Sequence, residues 1–436
     1  MELYVDITAE NSNQTLVRRR WKGIFFRGVF CFVLAACLVR AVREGAGAWF
    51  ARDATAEGIQ RAAKWDLANP EYPALLAHLA ASDMASADPR EMVTDLERAT
   101  RLGPQRAIQW ANLGETYDLD QRIPDAAHAY ERAVALFPKS PQINWEFANF
   151  LIRSGNVRDA VAPLREAILG DPGLRTGAFD IAWRAGIPPV QVLDIVPNHQ
   201  DILSAYLDYL VQTQRLDAAP DVWRRLLASP EAFDMDAAFR YFDALLLARR
   251  VHEMRTVWSD LAGHEPARIP WQPGAANLIY DGAFERPILN GGFGWRTSPI
   301  EGAAVSFDGR FAHEGRRALM IRFNGKHNVE FANVVQYVSV DPENSYRFVA
   351  YARTEGITTD SGPRIAIYDP LDREALSAES DNLLGTSEWT EQRLAFRTGS
   401  KTHLIVVQIV RPSSRKLDNL IAGTVWLDDF SLTANP

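Results

Sequence analysis

Apolar and polar positions along this chain change their period once, near residue 270. From 54 to 263 apolar residues recur at helical spacing, in segments that end at glycine or proline. Beyond 276 the spacing becomes two. Tyr346, Phe348, Ala350 and Ala352 alternate strictly with Arg347, Val349, Tyr351 and Arg353. Similar short runs lie at 303–309, 316–323, 331–340, 364–369, 390–397, 403–411 and 423–432, with turn-forming clusters between them. The stretch between the two patterns, 264–275, carries Pro266, Pro270 and Pro273 without periodicity and reads as a linker. These patterns predict a multidomain α + β chain, an α-solenoid of helix pairs over 54–263 followed by a β-sandwich or jelly roll over 276–436.

The helical half repeats itself. Pro70, Pro104, Pro138 and Pro172 are each 34 residues apart, and so are Ala99, Ala133 and Ala167. Two copies are well formed, at 107–140 and 141–172. The first places Trp110, Leu113, Gly114, Tyr117, Ala126, Tyr130, Ala133 and Pro138 at offsets 4, 7, 8, 11, 20, 24, 27 and 32. Small residues let two antiparallel helices approach, large ones fill between them, and the proline ends the second helix. This pattern resembles the tetratricopeptide repeat. The period is weak at 73–106, breaks at Gly186-Ile187-Pro188-Pro189, and returns as pairs at 199–230 and 235–262. The resemblance implies a groove for a protein partner lined by first-helix residues, here Glu115 and Asp118, then Gln142, Trp145, Asn149 and Arg153.

Residues 1–22 form a polar tail that ends in Arg18, Arg19, Arg20 and Lys22. An apolar run follows, so 23–43 reads as a transmembrane anchor or signal sequence, with Arg27 and Arg40 snorkelling to opposite headgroup layers. The basic flank predicts that the tail stays in the cytoplasm and the bulk of the chain is exported. In a bacterium that means a single-pass inner-membrane protein facing the periplasm. Three alternatives stand beside the anchor: lipidation at Cys37 in the box Leu34-Ala35-Ala36-Cys37, cleavage near Ala48, and a buried soluble helix.

The ends of the β half resemble those of family 4/9-type carbohydrate-binding modules. The opening is Asn277-Leu278-Ile279, then Gly282-Ala283-Phe284-Glu285 and Trp295; the close is Trp426-Leu427-Asp428-Asp429-Phe430-Ser431-Leu432. The resemblance implies glycan binding, which needs aromatic faces flanked by planar hydrogen-bonding groups. Tyr337, Tyr351, Arg353, Arg364 and Tyr368 are the candidates on polar faces of the strands. Glu285 with Asp428 or Asp429 would ligate a structural Ca²⁺ if the first and last strands are adjacent, and turn or cap hydrogen bonding is the alternative. Trp295 and Trp389 are expected to pack at sheet edges or under loops.

Charge and composition narrow the function. Net charge is -8, and no cluster of Lys and Arg follows residue 52, which argues against nucleic acid as a partner. Cys31 and Cys37 are the only cysteines, so the remaining chain has no disulfide framework or cysteine metal site. No His-Glu-x-x-His, Gly-x-Ser-x-Gly or phosphate-binding loop occurs. A glycosidase built on distant carboxylates is the remote enzymatic alternative. The reading is a non-catalytic, membrane-tethered adaptor of the bacterial envelope with no cofactor, a structural calcium being the one conditional exception. Its solenoid binds a protein, and its sandwich binds a glycan of a polysaccharide assembly or export system. The competing reading is a purely protein-binding scaffold whose sandwich caps the solenoid.

Overall fold

The structure is a computed structural model that describes residues 7–82, 88–229, 234–271 and 274–434, with side chains from 27 onward. Residues 1–6 of the expected tail, the side chains of its basic cluster, and Pro273 lie outside this set. Fourteen α-helices among the described residues are followed by ten strands in two antiparallel sheets. The chain divides into two compact units, Met1–Pro197 and Asn198–Pro436.

The first unit holds α1 (Ile7–Ala51), α2 (Ala56–Trp65), α3 (Glu71–Ser82), α4 (Pro89–Leu102), α5 (Ala107–Leu119), α6 (Ile123–Leu136), α7 (Pro141–Arg153), α8 (Val161–Gly170), α9 (Arg175–Arg184) and α10 (Pro189–Ile195). The repeat residues do what their sizes require. Ala126, Ala133, Ala160 and Ala167 are fully buried. Gly114 on α5 faces the ring of Tyr130 on α6, where an added Cβ would lie 2.8 Å from Cδ2, so any larger residue forces the helices apart. Tyr130 then packs on Phe147 and Phe150 of α7, with ring centroids 5.7 and 5.3 Å away, which ties one repeat to the next. The expected anchor, 23–43, is the middle of α1, and its described apolar side chains, Phe30, Phe32, Leu38 and Val39 among them, are exposed. No helix among the described residues is long and apolar enough to cross a membrane.

The second unit begins with α11 (Gln200–Gln212), α12 (Ala219–Ala228), α13 (Met235–Leu247) and α14 (Val251–His264). Ten strands follow: β1 (Arg296–Thr297), β2 (Ala303–Asp308), β3 (Ala318–Asn324), β4 (Phe331–Ser339), β5 (Ser345–Ile357), β6 (Arg364–Tyr368), β7 (Ser377–Glu379), β8 (Gly385–Arg397), β9 (Leu404–Arg411) and β10 (Ala422–Ala434). One sheet runs β1-β4-β9-β6-β7 and the other β2-β3-β10-β5-β8. Their inner faces share one core, to which Ile321, Val334, Phe348, Ile367, Val407 and Leu427 contribute. The alternation of β5 is as the sequence predicts, with Tyr346, Phe348, Ala350 and Ala352 turned inward.

The first and last segments of the sandwich meet. Leu278 donates to the carbonyl of Leu432 (2.9 Å), and Phe430 donates to Gly282 (2.9 Å). Asn277 closes the pair, its Nδ2 donating to Phe430 O (3.0 Å) and its Oδ1 accepting from Leu432 N (2.9 Å). Phe284, Trp295 and Phe430 form a cluster of rings 5.0 to 5.4 Å apart, so Trp295 is core.

The stretch expected as a linker, 264–275, is ordered where described. Ile269 is fully buried, and Arg268 O accepts from Tyr280 Oη at 3.0 Å. Phe293 inserts edge-on between Phe242 of α13 (4.9 Å) and Trp258 of α14 (5.9 Å). Asn290-Gly291-Gly292 is shaped by the same contact, because a side chain at Gly291 or Gly292 would collide with Phe239 or Trp258. The boundary between compact units therefore falls before α11, and four helices share a unit with the sandwich.

Candidate functional site

The outer face of the β1-β4-β9-β6-β7 sheet gathers three of the five tyrosines and arginines that the sequence singles out. Alternation sends Val334 and Val338, Ile365 and Ile367, and Ile405, Val407 and Ile409 into the core. Tyr337, Arg364, Tyr368, Val406 and Gln408 are left on the other side. Register then aligns them in rows. Tyr337 of β4 lies opposite Val406 of β9, Val406 opposite Tyr368 of β6, and Tyr368 opposite Ser377 of β7. The next row is Arg296, Val335, Gln408, Ala366 and Glu379, one residue from each of the five strands. Strands lie about 4.8 Å apart, so the two tyrosines stand ~10 Å apart across the buried Val406.

Polar groups fix these rings. Tyr368 Oη donates to Gln408 Oε1 (2.9 Å), and Gln408 Nε2 donates to Ala332 O (2.7 Å). The Arg373 guanidinium lies 3.9 Å over the Tyr368 ring, and that of Arg296 lies 5.6 Å from the Tyr337 ring. Burial raises the Tyr368 hydroxyl above its ordinary value against the opposing pull of Arg373, so the phenol is a neutral donor at physiological pH. Arg364 pairs with Glu379 at 3.4 Å and Arg296 with Asp243 at 2.5 Å, and the Nε atoms of Arg364 and Arg296 are buried with no acceptor among the described residues. The face thus offers two aromatic rings, planar guanidinium and amide groups, and one carboxylate.

Tyr351 and Arg353 do not join this face. They sit on β5, in the other sheet, and the loop between β2 and β3 folds over them. His313 stacks on Tyr351 with centroids 3.7 Å apart, and Trp389 stands edge-on to His313 at 5.5 Å. The Arg353 guanidinium lies 4.7 Å from the Phe311 ring and 6.0 Å from that of Trp426, and is ion-paired to Glu388. The five candidates are therefore divided between two sheets, and a period of two could not reveal which sheet each strand joins.

The carboxylates expected to hold calcium lie on either side of one loop, 313–317. Glu285 Oε1 accepts from Arg316 N (2.6 Å) and Arg317 N (3.3 Å), and Oε2 from Arg316 Nε (2.8 Å). Those bonds hold its carboxyl below the usual range. Asp428 is fully buried and accepts from His313 N and Asp429 N, both at 2.9 Å; burial pushes its carboxyl up to about 6. Asp429 Oδ2 meets His313 Nδ1 at 2.6 Å. Among the described residues the ligand atoms that converge are those of His313, Glu314 and Asp429, with Glu285 outside the group. A hard cation wants several unengaged oxygens, and Glu285 and Asp428 direct theirs at N–H donors.

In the repeat unit the expected groove residues are neighbours. Asp118 of α5 and Arg153 of α7 form an ion pair at 2.6 Å. Gln142 Nε2 donates to Glu146 (2.7 Å), and Asn149 Nδ2 donates to Trp145 O (2.7 Å). Trp145 is half-buried and its ring edge faces Gly177. Glu115 is exposed, and its charge helps raise the Glu146 carboxyl, whose main cause is burial. Cys37 is exposed on α1.

Gln408, Arg373, Glu379 and Arg296 belong to the sheet face but were not among the sequence candidates. Gln408 carries a readable signal, as the one polar residue inside the apolar run Leu404–Val410. The other three come from a loop and two strands of two or three residues, too short for any period.

No family model matches the chain. Over 85 residues it is 39% identical to the cytochrome c-type biogenesis protein CycH of Pseudomonas aeruginosa, a stretch equal to 19% of this chain and 21% of that protein. The chain thus spans about a fifth of the length of that curated relative. Among solved structures it is similar to a family 16 carbohydrate-binding module (20% identity, 36% of this chain and 99% of that one, TM-score 0.26). A xylan-binding domain of carbohydrate-binding module 22 gives 17%, 37%, 96% and 0.26, and MamA gives 14%, 40%, 85% and 0.26. The fold itself is read from the pairing of the chain's own strands.

Proposed function

We propose that the chain is a non-catalytic adaptor of the bacterial envelope, whose repeat array takes a protein partner and whose β1-β4-β9-β6-β7 face takes a glycan. One observation carries the glycan half: the row Tyr337, Val406, Tyr368, with Gln408, Arg364, Glu379 and Arg373 around it. Aromatic rings cover the apolar side of a pyranose, and fixed amide and guanidinium groups bind its hydroxyls. The likeness to a biogenesis protein supports a protein partner for the array. The exposed apolar side chains of α1, with the basic residues before them in the sequence, support a membrane tether and a periplasmic location for the rest.

Affinity electrophoresis of the full chain through gels containing different polysaccharides tests the glycan half. Tyr337→Ala with Tyr368→Ala should weaken retention by at least about tenfold, at roughly 1 kcal/mol or more per ring. Retention that survives the double substitution would sink the assignment. A second reading, a protein scaffold whose sandwich caps the last helices, is favoured by the insertion of Phe293 between Phe242 and Trp258. It predicts no retention on any glycan alongside capture of a protein by the array.

A further inference from the structure

Where β9 begins, the glycan face runs into a cavity of about 560 Å³. Leu404 lines it, and Leu404 is two residues before Val406 of the tyrosine row, ~7 Å along the strand. The cavity is basic in a chain whose net charge is -8. Its permanent cations are Arg249, Arg250, Arg255 and Lys401, against the carboxylates of Glu253 and Asp341.

The charges are not all balanced from within. Arg250 is paired with Asp217 (2.6 Å) and Glu253 (3.4 Å), and Arg255 with Asp341 (3.2 Å). Arg249 and Lys401 have no counter-ion among the described residues. His252 and His403 also line it, and both are exposed. The basic character is assembled from the start of α14 with the turn before it and from the approach to β9, with Arg249 and Lys401 152 residues apart in sequence.

We infer that this cavity binds the carboxylates of an acidic polysaccharide, so that the glycan of the sheet face is a uronic acid polymer and not a neutral one. The inference rests on the glycan reading and adds its chemical class. Free guanidinium and ammonium groups recognise carboxylate by charge-assisted hydrogen bonds, the guanidinium in a bidentate fork. Continuity with the tyrosine row favours a polymer that lies on the rings and reaches the cations at the same time. An isolated anion would use only the cavity, and an anionic membrane would need a basic surface wider than this one.

Polygalacturonate and its fully methyl-esterified form share a backbone and differ in charge, which makes them the probes. Binding of the full chain to each is measured by affinity electrophoresis or calorimetry at low and at moderate salt. Polygalacturonate should bind at least about tenfold more tightly, with an advantage that shrinks as salt screens the charges. Arg249→Ala with Lys401→Ala removes two exposed side chains that have no ion-pair partner among the described residues, and should erase that advantage while leaving the ester's binding and the melting temperature unchanged.

Equal binding of acid and ester, or full polygalacturonate binding by the Arg249/Lys401 variant, would overturn the inference and leave the glycan reading standing. Polygalacturonate binding that depends on Arg249 and Lys401 but not on Tyr337 and Tyr368 would support the basic cavity and overturn the tyrosine platform. If neither polymer binds, or if inorganic phosphate at equal ionic strength displaces polygalacturonate completely, or if anionic lipid vesicles bind in its place, the inference fails.

Discussion

The ring of Phe293 meets that of Trp258 edge-on, with centroids 5.9 Å apart and planes 75° apart. Trp258 is fully buried, and Tyr280 closes on its other contact at 5.5 Å. A helix of the array and a loop of the sandwich thus share one aromatic core. Phe293→Ala should destabilise this unit by about 3 kcal/mol or more, the range for removing a buried phenylalanine. Denaturant unfolding followed by tryptophan fluorescence measures it. A fragment of 276–436, which leaves α13 and α14 behind, should melt well below one that starts at Asn198. Equal melting temperatures would show that the contact adds nothing to the sandwich.

Asp308 supplies a pH dependence with a definite sign. It is buried at the end of β2 and accepts from Arg310 N (2.9 Å), Arg310 Nη2 (2.9 Å) and Trp426 Nε1 (3.2 Å). The Arg310 side chain, first among these, holds the Asp308 carboxyl well below the usual carboxylate range. A depressed carboxylate stabilises the fold above its unfolded pKa, and that contribution is lost as pH falls toward the folded value. Arg310 is largely exposed, so solvent screening trims its share. Asp308→Asn should therefore cost about 1–2 kcal/mol at pH 7. The gap from the unmutated protein should narrow steadily on acidification from about pH 5 to pH 2. A gap independent of pH would mean that the charge on Asp308 is not what stabilises the strand.

Arg316 stands where a cation would balance Glu285, bonded to it through both Nε and its backbone N–H. Calcium and EDTA should each leave the thermal transition where it is, while Arg316→Ala lowers it modestly because the side chain is mostly exposed. A transition that rises with calcium in the unmutated protein would show that the metal displaces Arg316, and would return Glu285, Asp428 and Asp429 to the role of ligands.

Topology is the fourth expectation. Alkaline phosphatase fused after the last residue should be active, and green fluorescent protein fused there dark. Deletion of 1–43 should leave the remaining chain in the cytoplasmic soluble fraction. Active phosphatase on that deletion variant would mean that export does not depend on the N-terminal helix. An acylated N-terminus at Cys37 would replace the anchor with a lipid.

Much of the fold was legible because it rests on two periods. Gly114, Ala126, Tyr130 and Ala133 could be placed on facing helices by counting, and the structure buries all four, with Gly114 against the ring of Tyr130. The strands at 303–309, 331–340 and 403–411 match β2, β4 and β9 closely for the same reason. Sheet membership was not legible, because Tyr351 and Tyr368 alternate identically and only the order of strands separates them. Nor could counting show that Phe293 seats among helical aromatics, or that Arg249 and Lys401 line one cavity. Both depend on contacts between segments with no shared pattern.

The row that crosses the sheet from Arg296 to Glu379 begins with a guanidinium bound to Asp243 and ends with a carboxylate paired to Arg364, and no step along it repeats another. A polymer laid across these strands would meet different neighbours at its leading and trailing ends. Sugar chains have a direction, a reducing end and a non-reducing one. If a glycan binds here as proposed, a face with this polarity would distinguish the two, so a chain seated on it would have a preferred heading, and a second molecule bound to the same strand would point the same way.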